Sequence, residues 1–363
     1  MMGCNCDTAQ GLRGPGAGRC WRLVTLLTLV AAGSTQAQPT LAPWIQSGQG
    51  PLTAQARQQV EDYLAYWADQ LHQGQGGSVG LARRKLTEPL LGDSSPSFKA
   101  TYSTACSRHL TKALQSAHVL VRINAMMVAQ HLVESNAVAL IKKGLADASP
   151  GGRFAAGRAA LNLVRSNQPL SKQDERAVIS CIGTACSQET CWPVQVELIR
   201  VLGTFSSIEA AGALLGQMDR LVVRRAAQPA MPIGAELDGL TRLFRSFLLN
   251  RGSMPEPTKR MMVVVAYRYM RLSAGSLQVD LNSEPLREDY ASMVGLCDHI
   301  LHELVDLPQD QIPPSTEQAV DAGRWDHVLA VCAGWETVLV RRTGFKPELL
   351  RVPDVTRPAG TVQ

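Results

Sequence analysis

The sequence predicts an all-α fold, an α-α superhelix in which pairs of amphipathic helices stack on their neighbours and the C-terminal helices diverge from the pattern. Hydrophobic residues make up 45% of the chain, but aromatic residues make up only 5%. Strand-rich proteins use more aromatic and β-branched residues, whereas an alanine- and leucine-rich chain favours helix. A helical motif also recurs through residues 100–225. The 18% of charged residues is ordinary for a folded domain and speaks against wholesale disorder.

Residues 1–37 have the order of segments found in a secretory signal peptide. Three arginines supply positive charge, an apolar stretch follows over 23–32, and small residues end at Ala37. The apolar stretch is about half as long as the roughly 20 residues that a membrane span needs. We therefore expect cleavage after Ala37, a secreted or periplasmic location and no stable membrane span in the mature chain. An uncleaved anchor is the alternative.

Three parts follow the expected signal peptide. Residues 38–51 are rich in proline and glycine, which predicts a linker. Apolar residues recur at three- and four-residue steps over most of 52–342, which predicts a helical-repeat domain. Residues 343–363 contain several prolines and little apolar periodicity, so we expect a flexible C-terminal tail.

The middle of the chain carries a motif in which an apolar residue and an arginine or glutamine open an alanine- or leucine-rich helix. The interval from Arg122 to Arg153 is 31 positions, and the segment Cys181–Cys191, expected as a loop, lengthens the next interval. Each helix pair has more apolar surface than it can bury alone, so stacked neighbours would share one core. The motif begins at Val121-Arg122, Arg153, Val194-Gln195 and Val223-Arg224.

This pattern resembles the HEAT repeat family, in which an aspartate lies near the inter-repeat turn and a Val-Arg pair precedes an alanine-rich helix. Asp147 with Arg153, and the Val-Arg pairs at 121–122 and 223–224, carry the resemblance over about a third of the chain. Gln195 stands where the family has arginine. The resemblance implies a scaffold that binds another protein along its concave surface.

Cysteine usage depends on the compartment. An even number of cysteines in an oxidising compartment permits disulfides. We expect a disulfide within the densest group, Cys181, Cys186 and Cys191, with the third cysteine paired to Cys106 or free. Free thiols throughout are the main alternative, and the spacing does not fit a metal cluster, so we expect no metal and no other cofactor. Six cysteines would remain in the mature chain, at positions 106, 181, 186, 191, 297 and 332.

Arginines cluster in the C-terminal half, and two pairs with i,i+3 spacing each share a helix face. On a stacked repeat domain such faces would align into a ridge that attracts an anionic polymer or an acidic partner. The alternative is a set of ordinary solvated faces. The expected binding face comprises Arg224, Arg225, Arg242, Arg245, Arg268 and Arg271.

Removal of the signal peptide would leave a net charge of only +3, and export makes chromosomal DNA a poor candidate, so we expect no nucleic-acid partner.

Catalytic motifs are weak throughout the sequence. His299 and His302 have i,i+3 spacing with Glu303 next to them, whereas a zincin motif needs two histidines at i,i+4 with glutamate between them. We therefore expect surface histidines on an amphipathic helix. A Gly-x-Ser-x-Gly match occurs at residues 76–80, but it follows a predicted helix and not the strand that a nucleophile elbow needs, and a phosphate-binding glycine loop is absent from the sequence. Trp325 and Trp335 lie on a last helix predicted from Ser315 through Leu339, where they would cap the core or, alternatively, form a carbohydrate platform.

These observations leave three functional hypotheses. The leading one is an exported, non-enzymatic helical-repeat scaffold that mediates protein–protein interaction with a partner that the sequence does not identify. The second is an exported protein that binds anionic glycans or lipid head groups through its arginine-rich face. The third is an enzyme or metalloprotein built on the same helical scaffold.

Overall fold

A computed structural model describes residues 38–74, 76–166, 170–227, 232–249, 254–279 and 284–353. Within these ranges the chain forms sixteen α-helices and one 3₁₀ turn without any strand, which confirms the predicted all-α class. The expected signal peptide at 1–37 and the last ten residues of the expected tail lie outside the described residues. None of the described helices is both long and apolar enough to cross a membrane.

The α-helices range from single turns to more than six turns. In chain order they are α1 Pro43–Ser47, α2 Ala54–His72, α3 Gly76–Leu91, α4 Pro96–Ala113, α5 Val119–Ala129, α6 Glu134–Leu145, α7 Pro150–Arg165, α8 Lys172–Gln188, α9 Trp192–Leu202, α10 Ile208–Ala226, α11 Gly234–Leu249, α12 Glu256–Gln278, α13 Glu284–Leu304, α14 Glu317–Asp321, α15 Trp325–Arg341 and α16 Pro347–Leu350. The 3₁₀ turn is Gln309–Gln311.

The longer helices pack in two layers. In one layer α3, α5, α7, α9, α11 and α13 each contact the next, and in the other α4, α6, α8, α10, α12 and α15 do the same. Helices adjacent in the chain also pack across the layers, most extensively α6 on α7 and α12 on α13. A single cluster of buried apolar side chains extends from Ile45 to Val352. Every helix of the stack therefore shares its core with its neighbours.

Helix α2 illustrates how the sequence produces these elements. The Thr53 hydroxyl accepts the Ala56 N–H at 3.2 Å and caps the helix, as its position before the apolar stripe predicts. The apolar residues of α2, spaced three and four positions apart, face the core, while the polar residues between them face solvent. The buried side chains of the predicted stripe are Val60, Tyr63, Leu64, Trp67 and Leu71.

Two arginine–carboxylate pairs connect successive helix pairs. Arg122 on α5 donates from Nε and Nη2 to Asp147 at 2.6 and 3.0 Å, and Arg153 on α7 donates from the same atoms to Glu189 at 2.7 and 3.0 Å. Each arginine also donates from Nη1 to the backbone carbonyls six and five positions before it. We call Arg122, Asp147, Arg153 and Glu189 the arginine ladder.

The structure corrects two details of the predicted repeat. Val223-Arg224 does not start a new helix but lies in the last turn of α10, because no helix breaker interrupts the amphipathic stretch from Ile208 to Ala226. The segment Cys181–Cys191 is not a loop, since α8 runs to Gln188. The wider interval between Arg153 and Gln195 therefore comes mainly from two longer helices, since α7 has 16 residues where α5 has 11, and α8 has 17 where α6 has 12.

The segments on both sides of the expected helical-repeat domain are more ordered than the sequence predicts. Within the expected linker at 38–51, α1 packs on α4 and Ile45 is fully buried. Within the expected tail, Phe345 and Leu350 are buried, and the Arg260 guanidinium lies 4.3 Å from the Phe345 ring centroid. Isolated apolar residues between prolines give no periodic pattern in the sequence. The burial of each one against the core nevertheless stabilises the folded chain.

The predicted helix from Ser315 through Leu339 is two helices, α14 and α15. Gly323 lies between them with a φ of +63°, a left-handed conformation that glycine adopts at little cost and that ends a right-handed helix. This break leaves α14 with only five residues.

Candidate functional site

A groove of about 880 Å³ runs along the exposed face of α13. One side of it is a stripe of small and polar residues at helical spacing, Ala291, Ser292, Gly295 and His299, and the other side is formed by residues 309–321, including α14. A Cβ added to Gly295 would meet no atom within 4 Å, so the groove is open at its middle. We call this feature the α13 groove.

The groove exists because the segment after α13 is too short to cover it. In the same layer, each helix from α3 to α11 is covered by a following helix of 11 to 21 residues. The chain after α13 instead contains a 3₁₀ turn and the five-residue α14, which contacts α13. Pro308, Pro313 and Pro314 disfavour a regular helix, and Gly323 ends α14. Part of the α13 face therefore stays uncovered.

Asp298 holds the two sides of the groove together. Its side chain is buried, with 3% of the residue exposed, and its Oδ2 accepts the Thr316 N–H at 2.8 Å and the Ser315 hydroxyl at 3.3 Å. Its Oδ1 accepts Trp335 Nε1 at 3.3 Å, and His302 Nε2 lies 3.6 Å away. One carboxylate thus fixes α13, the α14 segment and α15 relative to one another.

Two polar atoms at the groove lack a hydrogen-bond partner among the described residues. Thr316 lines the groove and is fully buried, and its Oγ1 has no partner; His302 Nε2 has none either. A buried hydroxyl without a partner costs about 1–3 kcal/mol. A bound group that supplied a partner to Thr316 would recover part of this energy.

The charges around the groove have one sign. The lining includes the carboxylates of Glu288, Glu317 and Asp321, which are exposed, in addition to Asp298, but neither lysine nor arginine. The described part of the chain contains no ion pair made by Glu288, Glu317 or Asp321. The groove is therefore an acidic surface.

The two histidines of the sequence analysis lie at this site and pack as aromatic rings. His299 meets Phe244 edge-on, with ring centroids 5.2 Å apart, and His302 meets Trp335 in the same way at 5.2 Å. Within the described ranges, no group of three or more histidine, cysteine, aspartate or glutamate side chains is arranged to hold a metal ion. Trp335 is fully buried at the end of the core, and Trp325 is partly buried.

The expected arginine face is not a single surface. Arg225 is 1% exposed; its Nε and Nη2 donate to Glu236 at 2.9 and 2.5 Å, and its guanidinium lies 3.9 Å from the Trp192 ring centroid. Burial raises the pKa of Glu236 above its ordinary value despite the opposing effect of Arg225. Arg268 is buried beside Asp219. These two arginines are neutralised inside the protein and cannot contact an external polymer.

The other four arginines of that expected face lie in separate environments. Arg271 Nη1 donates to Glu336 at 3.0 Å, and Arg242 Nε contacts Asp238 at 3.0 Å. Arg224 Nη1 donates to the Glu189 carbonyl at 3.4 Å, while Arg245 is exposed. The i,i+3 spacing predicts which arginines share a helix face, but it does not show which faces are buried or already paired.

The expected disulfide among Cys181, Cys186 and Cys191 is not formed. All six cysteines of the described residues are free thiols. Cys181 and Cys186 lie five positions apart on α8, about 140° apart around the helix axis. One is partly exposed and the other buried, so their sulfur atoms point to different environments. Burial raises the pKa of the Cys186 thiol to about 12.

The fold and the groove define an all-helical, two-layered protein with an acidic groove at the end of one layer. Comparison with models of known protein families and with curated proteins finds nothing that matches this chain. Sequence reasoning missed the groove, although the prolines at 308, 313 and 314 and Gly323 indicate that no full helix forms between α13 and Gly323.

Proposed function

We propose that the chain is an exported, non-enzymatic helical-repeat scaffold of the HEAT-like kind, which binds another protein. The ordered contacts of alternate helices in two layers support the repeat architecture. The arginine ladder supports it further, because the same contacts recur at Arg122 and Arg153, 31 positions apart. Export is proposed from the signal-like residues 1–37.

The α13 groove is the observation that carries the binding role. Repeat proteins recognise partners through extended surfaces of stacked helices, and a helix face left uncovered at the end of a stack is available to another chain. The volume of about 880 Å³ is large enough for several side chains. The polar and acidic lining suits a contact that forms between separately folded proteins, since such interfaces are about as polar as the remaining surface.

Site-specific crosslinking tests the binding role. A photoreactive phenylalanine analogue placed at Ser292, in the groove, should give a crosslinked adduct of defined mass in cells that produce the protein. The same analogue at Ala65, an exposed position on α2, serves as the control and should not give that adduct. Adducts at neither position, or the same adducts at both, would contradict a scaffold that binds through the groove.

Mass spectrometry of the mature chain tests export. The chain recovered outside the cytoplasm should begin at Gln38. Recovery of the full-length chain, with residues 1–37 intact, from the cytoplasm alone would refute the proposed location without bearing on the groove.

A further inference from the structure

We infer that the α13 groove accommodates a basic, helical segment of a partner protein. This inference rests on the proposed binding function and specifies the chemistry of the partner. It combines three observations: an uncovered helix face, a lining of one charge, and a buried hydroxyl without a partner.

The shape of the groove favours a helix. It lies along α13 where a further helix of the same layer would pack, and only the five-residue α14 occupies part of that place. Ala291, Ser292 and Gly295 form a surface of small residues, which lets two helices approach closely. From Glu288 to His302 the groove follows 14 helical steps, or about 21 Å, which matches about four turns of a docked helix.

The charge of the groove favours lysine or arginine on that helix. Glu288 lies on α13, while Glu317 and Asp321 lie on the opposite side, so a helix between them would have carboxylates on both flanks. These three carboxylates are exposed and make no ion pair within the described part of the chain. An anionic glycan or lipid head group would be repelled by these carboxylates, so the groove does not suit an anionic ligand.

Thr316 supplies an independent indication of a ligand. The residue is fully buried, lines the groove and has no hydrogen-bond partner for Oγ1 among the described residues, whereas its backbone N–H is held by Asp298. A hydroxyl oxygen can accept a hydrogen bond from an ammonium or guanidinium group. A cationic side chain entering between Glu317 and α13 would supply that donor.

Peptide binding tests the inference directly. The probe is a fluorescent peptide of about four helical turns, built from alanine with lysine on one face. The comparison peptides replace lysine with glutamine, or keep the lysines and contain a central proline that breaks the helix. We expect fluorescence anisotropy to detect binding of the lysine helix alone, weakening with added salt. Equal binding of the lysine and glutamine helices would overturn the charge argument, and undiminished binding of the proline peptide would overturn the helix argument.

Two sets of variants locate the binding. The triple variant Glu288→Gln, Glu317→Gln, Asp321→Asn should bind the lysine peptide about tenfold more weakly at low salt. The matched control, Asp62→Asn, Asp69→Asn, Asp93→Asn, changes the net charge equally at exposed positions elsewhere and should bind like the wild type. Equal weakening in both triple variants would mean that net charge, and not the groove, attracts the peptide.

Filling the groove gives a test that does not depend on charge. Gly295→Leu places a side chain in open space and should abolish peptide binding while the protein stays folded, and Gly212→Leu on α10 is the control, because its added Cβ also meets nothing within 4 Å. Spermidine, a small polycation that cannot form a helix, serves as a competitor. It should displace the lysine peptide only weakly, and strong displacement would mean that the groove binds positive charge without selecting a helix. If Gly295→Leu leaves peptide binding intact, the groove is not the site.

The outcomes separate the inference from the proposed function. A partner that crosslinks at Ser292, together with failure of the lysine peptide to bind, would refute the basic helix and retain the scaffold. Peptide binding that depends on Gly295, without any crosslinked partner in cells, would retain the groove chemistry and refute the scaffold role.

Discussion

Arg122 donates two hydrogen bonds to Asp147 across the boundary between successive helix pairs, at 2.6 and 3.0 Å. Asp147 in turn accepts the backbone N–H of Ser149 at 2.7 Å, so one carboxylate fixes both the neighbouring helix and its own turn. Arg153 and Glu189 repeat this arrangement one helix pair later, with the Glu189 carboxylate accepting two backbone N–H groups. The stack is thus held by polar contacts at its turns as well as by its apolar core.

Removal of the Asp147 carboxylate should destabilise the protein. Asp147→Ala leaves Arg122, which is mostly buried, and the Ser149 N–H without their acceptor. We expect a loss of about 2–4 kcal/mol in the free energy of unfolding, measured by urea denaturation, because breaking one side of a buried pair leaves an uncompensated charge.

Arg176→Ala is the matched control for this prediction. Arg176 and Glu209 likewise form an arginine–carboxylate pair between two elements, here α8 and α10, but both side chains are largely exposed. Exposed pairs contribute about 0–1 kcal/mol, so the control should lose less than half of what Asp147→Ala loses. Comparable losses in the two variants would show that the ladder contributes no more than an ordinary surface pair.

The arginine ladder should also make the free energy of unfolding depend on pH. Burial alone would raise the pKa of Asp147 and Glu189, but hydrogen bonds from the arginines and from backbone N–H groups, together with the arginine charges, lower the pKa of both carboxyls below their ordinary values of 3.8 and 4.5. A depressed folded-state pKa gives stabilisation that is complete above the ordinary value and is lost as the pH falls through the folded-state value.

The double variant Asp147→Asn, Glu189→Gln tests this pH dependence. It should be clearly less stable than the wild type at neutral pH. The difference should shrink as the pH falls below about 4, where the two carboxyls of the unfolded wild-type chain become protonated before those of the folded protein. Urea midpoints of both proteins across this range give the measurement. A difference in stability that stays constant down to about pH 2 would rule out the ladder carboxylates as its source.

Local patterns in the sequence predict much of the fold. The apolar stripe of α2 and its Thr53 cap depend only on residues that are close in sequence, and both are present in the structure. The sequence also singles out Arg122, Asp147 and Arg153, because they recur with the repeat. Glu189 is not apparent, since it follows an α8 that is longer than the sequence suggests, and glutamate replaces the expected aspartate.

The site depends on contacts that local patterns do not specify. Asp298 joins α13 to Thr316 and Trp335, 18 and 37 positions away, and nothing at those spacings marks it in the sequence. His299 and His302 attract attention for their metal-like spacing, yet they belong to the groove as aromatic neighbours of Phe244 and Trp335. Similarly, the sequence predicts Arg225 as a surface cation, whereas in the structure it is buried against Glu236.

Two glycines should respond to alanine in opposite directions. A Cβ on Gly152 would collide with the Asp147 carboxyl, which Arg122 holds in place, whereas a Cβ on Gly295 would meet open space on α13. Gly152→Ala should therefore cost about 1–3 kcal/mol through displacement of the ladder. Gly295→Ala should stabilise the helix by about 0.5–1 kcal/mol, since alanine loses less backbone entropy than glycine.

Thermal unfolding followed by circular dichroism would show these opposite shifts in midpoint. The Gly152→Ala effect should largely disappear in an Asp147→Ala background, because the colliding carboxyl is then absent. An undiminished cost in that background would assign the effect of Gly152→Ala to the helix itself and not to the ladder.

The free thiols should differ in reactivity according to burial. Cys181 and Cys191 are partly exposed, whereas Cys106 and Cys297 are fully buried, and burial raises the pKa of both buried thiols well above the ordinary value of 9. Because the thiolate is the reactive form, iodoacetamide should modify Cys181 and Cys191 in the native protein and reach the buried thiols only after denaturation. Peptide mapping by mass spectrometry, performed without a reducing agent on protein purified from an oxidising compartment, measures each site separately. A different result would reveal a disulfide between α8 and the start of α9: Cys181 and Cys191 would stay unmodified in both native and denatured protein, and their two peptides would be found linked. Such a disulfide would require the end of α8 to rearrange.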